Sequence, residues 1–169
     1  QALQQAIQIA VSDLYTATRY VIDHSESWQI DPQSIILSGS SAGAISVLQA
    51  EYQLCQSDAG ISVLPAGFQY AGVISFAGAI ADVKAPTWPK RPCPILLFHG
   101  DVDRTVPYRQ AALPDVGGLW GSAAIAESLD KTSASYTFYR IGNAGHVISS
   151  TPMTEQLYDI LSFLDRCVM

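Results

Sequence analysis

Between residues 3 and 22, apolar side chains fall at Leu3, Ala6, Ile7, Ala10, Val11, Leu14, Ala17, Val21 and Ile22, with Gln4, Gln5, Gln8, Ser12, Asp13 and Arg19 between them. Steps of three and four residues line up one face of a helix, so an amphipathic helix laid on a sheet is expected here. His24, Ser25, Glu26 and Ser27 break the period, and Asp31 with Pro32 marks a turn. The pattern then changes to short strand-like stretches at 34–38, 70–76, 95–98 and 136–141. The first reads as a buried strand, the run 70–76 suits a strand covered on both faces, and the other two read as the third and fourth strands. Helical spacing returns at 44–54 and at 119–131, where two glycines precede it. It returns again from Pro152 or Thr154, where Leu157, Ile160, Leu161, Leu164 and Val168 are expected to form the buried face. A loop with Ser57, Asp58, Gly60, Pro65 and Gly67 lies between the first two strands. The proline-rich stretch 78–94 has no helical period and reads as a surface connection, with Trp88 packing there or lining a pocket. One helix followed by four strand and helix units predicts an α/β fold: a parallel sheet of about four strands with helices on both faces.

Composition narrows this picture. At 169 residues the chain fits a single domain, 1–169, and 49% hydrophobic with 14% charged residues is the balance of a folded protein. The net charge of −6, with nine scattered Lys and Arg of which only Lys90 and Arg91 are adjacent, argues against a nucleic-acid partner. No apolar run reaches the length of a membrane span, and no secretory leader pattern is present. The chain begins at Gln1 with the helical pattern already under way by Leu3, so a processed or truncated chain is expected and the compartment cannot be read. Cys55, Cys93 and Cys167 are odd in number and lack C-x-x-C spacing, which disfavours zinc. They read as small buried or half-buried thiols, with a Cys55–Cys93 bridge left open for an oxidising compartment.

The run Gly39-Ser40-Ser41-Ala42-Gly43 sits between the first sheet strand and the following helix. In a strand, sharp turn, helix setting, a G-x-S-x-G pattern strains the central serine and projects its hydroxyl, the flanking glycines leaving room. Ser41 is the candidate nucleophile, and Ser40 is out of register because the glycines bracket Ser41. In a parallel sheet the carboxyl ends of the strands face one crevice. Ser41 follows the first strand, Asp101 and Asp103 follow the third, and His146 follows the fourth. A serine hydroxyl needs a base in reach, and that base needs a carboxylate to fix its tautomer. His24, in a polar loop ahead of the nucleophile strand, is not placed for that role.

The order Ser, Asp, His, carried by Gly39-Ser40-Ser41-Ala42-Gly43, by His99-Gly100-Asp101-Val102-Asp103 with Val106-Pro107, and by Gly145-His146, resembles the α/β-hydrolase superfamily and its esterase and lipase-like members. The resemblance implies Ser41 as nucleophile, His146 as base and Asp103 as acid, with Asp101 the fallback and His99 a framework position. It implies no metal and no organic cofactor. It covers nearly the whole chain, but only the carboxyl-terminal portion of that fold: the early strands and the His-Gly-Gly loop of oxyanion donors have no counterpart here. Ala42 then offers one backbone N–H to an oxyanion, and a second donor has no source in these residues. Because the nucleophile strand is central in the family, its edge near Ile35 is expected to be bare and to pair with a missing N-terminal segment or with another copy. The expected activity is hydrolysis of small-molecule carboxylic esters through an acyl-enzyme. A peptidase or thioesterase would use the same triad, and a non-catalytic hydrolase fragment is the second class.

Overall fold

The computed structural model describes residues 2–56, 62–113 and 117–168, so the expected loop positions Ser57, Asp58 and Gly60 lie outside the described residues. Helices α1 (Ala2–Asp23) and α2 (Ser25–Trp28) lead through a 3-10 turn at Pro32–Ser34 into strand β1 (Ile36–Ser40) and helix α3 (Ala42–Gln56). Strands β2 (Gly72–Phe76), β3 (Ala79–Asp82), β4 (Ile95–Gly100), β5 (Gln110–Leu113) and β6 (Gly117–Gly121) follow. Helix α4 (Ser122–Leu129), strand β7 (Tyr136–Ile141), a 3-10 turn at His146–Ser149 and helices α5 (Pro152–Glu155) and α6 (Leu157–Val168) complete the order.

Strands β1, β2, β4 and β7 pair in that order and all run parallel, as expected. Every residue of β2 and β4 is buried, which is why their sequences are continuous apolar runs. Alternate side chains serve opposite faces. Val73, Ile95 and Leu97 meet α1, α3 and α4 through Val11, Leu48 and Ile125, whereas Ile74, Phe76, Leu96 and Phe98 meet α6 through Ile160 and Phe163. On the α6 face the rings of Phe76, Phe98 and Tyr139 stack across three neighbouring strands at 5.3 and 5.0 Å.

The second half corrects three expectations. The stretch read as a surface connection contains β3, and the start of the helix expected at 119–131 is β6, with α4 beginning only at Ser122. Strands β3, β6 and β5 form a separate antiparallel sheet. Glycine is a poor strand former, but here Gly118 leaves room for the Trp120 indole, 2.9 Å from where a Cβ would stand, and that indole donates to the Asp82 carbonyl at 3.1 Å. Trp88 is a packing residue: its N–H donates to Ser128 Oγ at 2.8 Å and its ring meets Tyr52 edge-on.

The third correction concerns α6. The sheet takes Ile160, Phe163, Leu164 and Cys167, not the whole expected face. Leu157, Leu161 and Val168 stay about half exposed, at 51%, 50% and 50%. Asp159 accepts the Tyr139 hydroxyl of β7 at 2.8 Å, so that flank of α6 faces β7. At 100° per residue, Leu157, Leu161 and Val168 lie on the opposite flank, the one turned away from β7. On β1, Ser41 N–H donates to Phe76 O and Ile35 O accepts from Ala71 N–H. Strand alternation therefore turns the odd residues toward β2 and points the N–H and C=O groups of Ile36, Ser38 and Ser40 away from the sheet. No helix among the described residues is long and apolar enough to cross a membrane.

Candidate active site

The turn between β1 and α3 is as tight as the sequence implies. Ser41 has φ +53°, a left-handed conformation that costs about 1–3 kcal/mol for a non-glycine residue. It is held from both sides, by Ser41 N–H to Phe76 O at 2.9 Å and by Ile45 N–H to Ser41 O at 3.0 Å. A Cβ on residue 39 would stand 2.3 Å from the Gly43 carbonyl oxygen, so only glycine fits there. Gly43 itself is not required for space, since a Cβ at that position would meet nothing within 4 Å. The crowding runs from the backbone of residue 43 onto residue 39, so the expected need for glycine holds on one side only.

The segment carrying His146 follows β7 and is anchored at several points. Gly100 lets the loop close in, because a Cβ there would lie 2.1 Å from Ala144 O. Asp101 accepts from Asn143 N–H at 2.8 Å and from the Arg140 guanidinium at 2.8 Å, and that guanidinium is the main cause holding its carboxyl below the usual range. The fallback acid thus braces the loop and does not face the imidazole. On the other side Ser40 Oγ donates to Ser149 O at 2.6 Å, tying the turn 146–149 to the residue before Ser41. Sequence reasoning set Ser40 aside, and no local signal marks a hydrogen bond to a residue more than a hundred positions away.

These anchors bring Ser41 Oγ to 2.8 Å from His146 Nε2. His146 Nδ1 in turn lies 2.7 Å from Asp103 Oδ2. The Asp103 side chain is fully buried and that of His146 one-quarter exposed. Oδ1 of Asp103 accepts from the Thr105 and Val106 N–H groups at 2.8 and 3.1 Å, which fixes the plane of the carboxylate. An imidazole that donates from Nδ1 to a carboxylate presents its Nε2 lone pair to the hydroxyl, and so can draw off the hydroxyl proton. Ala42 opens α3, within the first turn whose N–H groups have no intrahelical acceptor.

The other histidines lie elsewhere. His24 stacks on Tyr20 and Trp28 at 4.1 and 5.1 Å. His99 is buried behind Asp103, and burial is the main cause holding it below the ordinary imidazole value. Cys55, Cys93 and Cys167 are free thiols, and burial pushes each of them up. Among the described residues no group of three or more His, Cys, Asp or Glu is arranged to hold a metal ion.

No family profile matches the sequence, and no curated protein matches it. Solved structures do. The chain superposes on a truncated carbohydrate esterase from gut microbiota with TM-score 0.65 and 18% identity, over 93% of this chain and 67% of that one. It superposes on the esterase Est2 of Thermogutta terrifontis, with butyrate bound, at TM-score 0.66 and 20% identity, over 94% and 65%. For the carboxylesterase Cest-2923 of Lactobacillus plantarum WCFS1 the values are 0.60 and 16%, over 90% and 64%. The parallel sheet, the serine turn and these superpositions define an α/β-hydrolase fold. The chain spans about two-thirds of the length of those structures, which hold further residues with no counterpart here.

Proposed function

We propose that this chain carries the nucleophile, base and acid of a serine hydrolase that cleaves carboxylic esters. The observation that carries the reading is the unbroken line from Ser41 Oγ through His146 to Asp103, at 2.8 and 2.7 Å. In this reading His146 Nε2 takes the Ser41 proton as Oγ attacks the ester carbonyl, while Asp103 steadies the imidazolium. The Ala42 N–H receives part of the charge on the tetrahedral oxygen. His146 then gives its proton to the departing alkoxide, leaving an acyl group on Ser41. A water activated by the same imidazole releases the acid and restores the serine. The esterase neighbours favour oxygen esters over peptides and thioesters, which the same three residues could attack. Incubation with a fluorophosphonate probe, followed by mass spectrometry, is expected to place the adduct on Ser41 and to find none in Ser41→Ala. A folded chain that stays unlabelled with and without added polypeptide would overturn the reading. Hydrolysis of an acetyl ester, an acyl thioester and a peptide anilide, compared side by side, ranks the substrate classes.

The same reading includes a partner for β1. Its outward N–H and C=O groups and the half-exposed apolar flank of α6 would suit a strand followed by an apolar-faced helix. That strand comes from further polypeptide of the same protein, or from a second copy, and residues 1–169 then form one domain that shares its sheet. Light scattering over a dilution series separates the two sources: a dimer supports the second copy, and a monomer that binds an added N-terminal extension supports the first. A monomer whose Ser38 amide is protected from hydrogen exchange without any partner would overturn the pairing.

A further inference from the structure

His99, the last residue but one of β4, has no accessible surface, and its three polar neighbours are all within hydrogen-bonding or ion-pair distance. Nε2 lies 3.2 Å from Val106 O and 3.5 Å from Asp103 Oδ2, while Nδ1 lies 2.8 Å from Ser122 Oγ. A carbonyl oxygen only accepts, so the hydrogen of the neutral ring is on Nε2. Nδ1 is then the acceptor, and the Ser122 hydroxyl donates to it. That N–H donates to the Val106 carbonyl at one end of the turn 103–106, and at the other end lies in contact with the same Oδ2 that receives His146. Since Val106 N–H also donates to Asp103 Oδ1, His99 closes a ring of contacts around the carboxylate.

Ser122 is delivered by the antiparallel sheet that the sequence did not predict. Gly121 N–H donates to Arg109 O at 2.8 Å and Ala123 N–H donates to Tyr108 O at 3.0 Å. Gly121 can approach so closely because a Cβ there would fall 1.8 Å from Pro107 O. The start of α4 is thus strapped to the backbone that continues from Val106, and Ser122, itself fully buried, has a fixed place.

We propose that His99, oriented by Ser122, is a positioning residue that holds the Asp103 carboxylate where His146 meets it. The role rests on the hydrolase reading above, but its test does not require turnover. Asn at position 99 reaches as far as Nδ1 and so loses the donor to Val106 and Asp103, whereas Gln extends far enough to replace it. In the whole chain, the imidazole Nδ1–H of His146 bonded to Asp103 gives a slowly exchanging low-field proton resonance. That resonance is expected in wild type and in His99→Gln, and to be lost in His99→Asn. Fluorophosphonate labelling of Ser41 is expected to slow about 10²-fold in His99→Asn, the scale of a misplaced reacting group, and to recover with Gln. In the Asp103→Asn background, His99→Asn should add nothing, because both act through one carboxylate. Ser122→Ala, a single-atom deletion, serves if His99→Asn does not fold; it should move the His99 Nδ1 nitrogen shift and weaken the same resonance. An unchanged resonance in His99→Asn, or in Ser122→Ala, with only the melting temperature lowered would overturn the proposal. If wild type shows the resonance but Ser41 is never labelled, the hydrolase reading fails and the positioning role is still decided by the resonance.

Discussion

The two outer strands of the parallel sheet are finished in different ways. Strand β7 carries bulky polar side chains, each tied down: Tyr136 to Asp130, Tyr139 to Asp159 and Arg140 to Asp101. Strand β1 carries Ile36, Leu37, Ser38, Gly39 and Ser40, with no charge and no proline. Natural sheets blunt a free edge with charges, bulges or cover, and β7 follows that practice while β1 does not. The helix above repeats the contrast, since α6 is bonded through Asp159 on its β7 flank and bare at Leu157, Leu161 and Val168 on the other. The proposed partner strand would add at this open edge, whereas β7 is closed by its own side chains.

Substitutions on the two sides should therefore behave differently, and proline on β1 gives the widest separation. Leu37 bonds inward to β2, so Leu37→Pro is expected to prevent folding by circular dichroism. Ser38→Pro removes only an outward N–H: the chain should fold normally and lose strand pairing by light scattering or extension binding. Failure of both variants to fold, or association that survives Ser38→Pro, would break the comparison. Next in size, Phe163→Ala is expected to cost about 3–5 kcal/mol in denaturant unfolding as a large buried side chain. Leu161→Ala should cost no more than about 0.5 kcal/mol in the dissociated chain, like other surface changes, and should act on association instead.

A pH series sharpens the contrast further. Burial lowers the folded pKa of His99 below its ordinary 6.5, so the unfolded chain takes up a proton there before the folded chain does. The contribution of His99 to stability should be level above about pH 6.5 and fall as pH drops, with a slope of at most about 1.4 kcal/mol per pH unit until the folded form also titrates. Glu51 acts in the opposite sense. Burial raises its folded pKa above 4.5, so its contribution is complete below that value and is lost as pH rises through the folded pKa. Glu51→Gln should remove that alkaline decline in unfolding curves. Residues 35–41 and the exposed α6 flank contain no ionisable side chain, so strand pairing should be flat over the same range. The smallest effect is expected at the boundary: Arg140→Ala breaks an exposed ion pair and should leave the melting curve close to wild type.

Much of this could be read in advance. The strands β2 and β4 announce themselves because burial on both faces demands an uninterrupted apolar run, and the sequence order alone sets Ser41, Asp103 and His146 just after β1, β4 and β7, three parallel strands whose ends lie together. The second sheet could not be read, because Gly117, Gly118 and Gly121 argue against a strand and Trp120 and Val83 supply the tertiary reason that overrides them. The face of α6 departs from its periodicity for another reason. Its periodic pattern contains two adjoining apolar stripes, and a periodicity reports which side chains avoid water without saying what will cover each stripe. Ser122 leaves no trace in the sequence at all, being one serine after a glycine whose partner is twenty-three residues away.

Ser41 stands one residue beyond β1, and Ser40, the last residue of that strand, turns its backbone N–H and C=O outward and bonds to Ser149 O through its hydroxyl. A chain that zips onto β1 would lie against the residue that precedes Ser41 and, through Ser149, against the turn that carries His146. Under the proposed function, the rate of covalent capture at Ser41 would then report on whether a strand has joined β1.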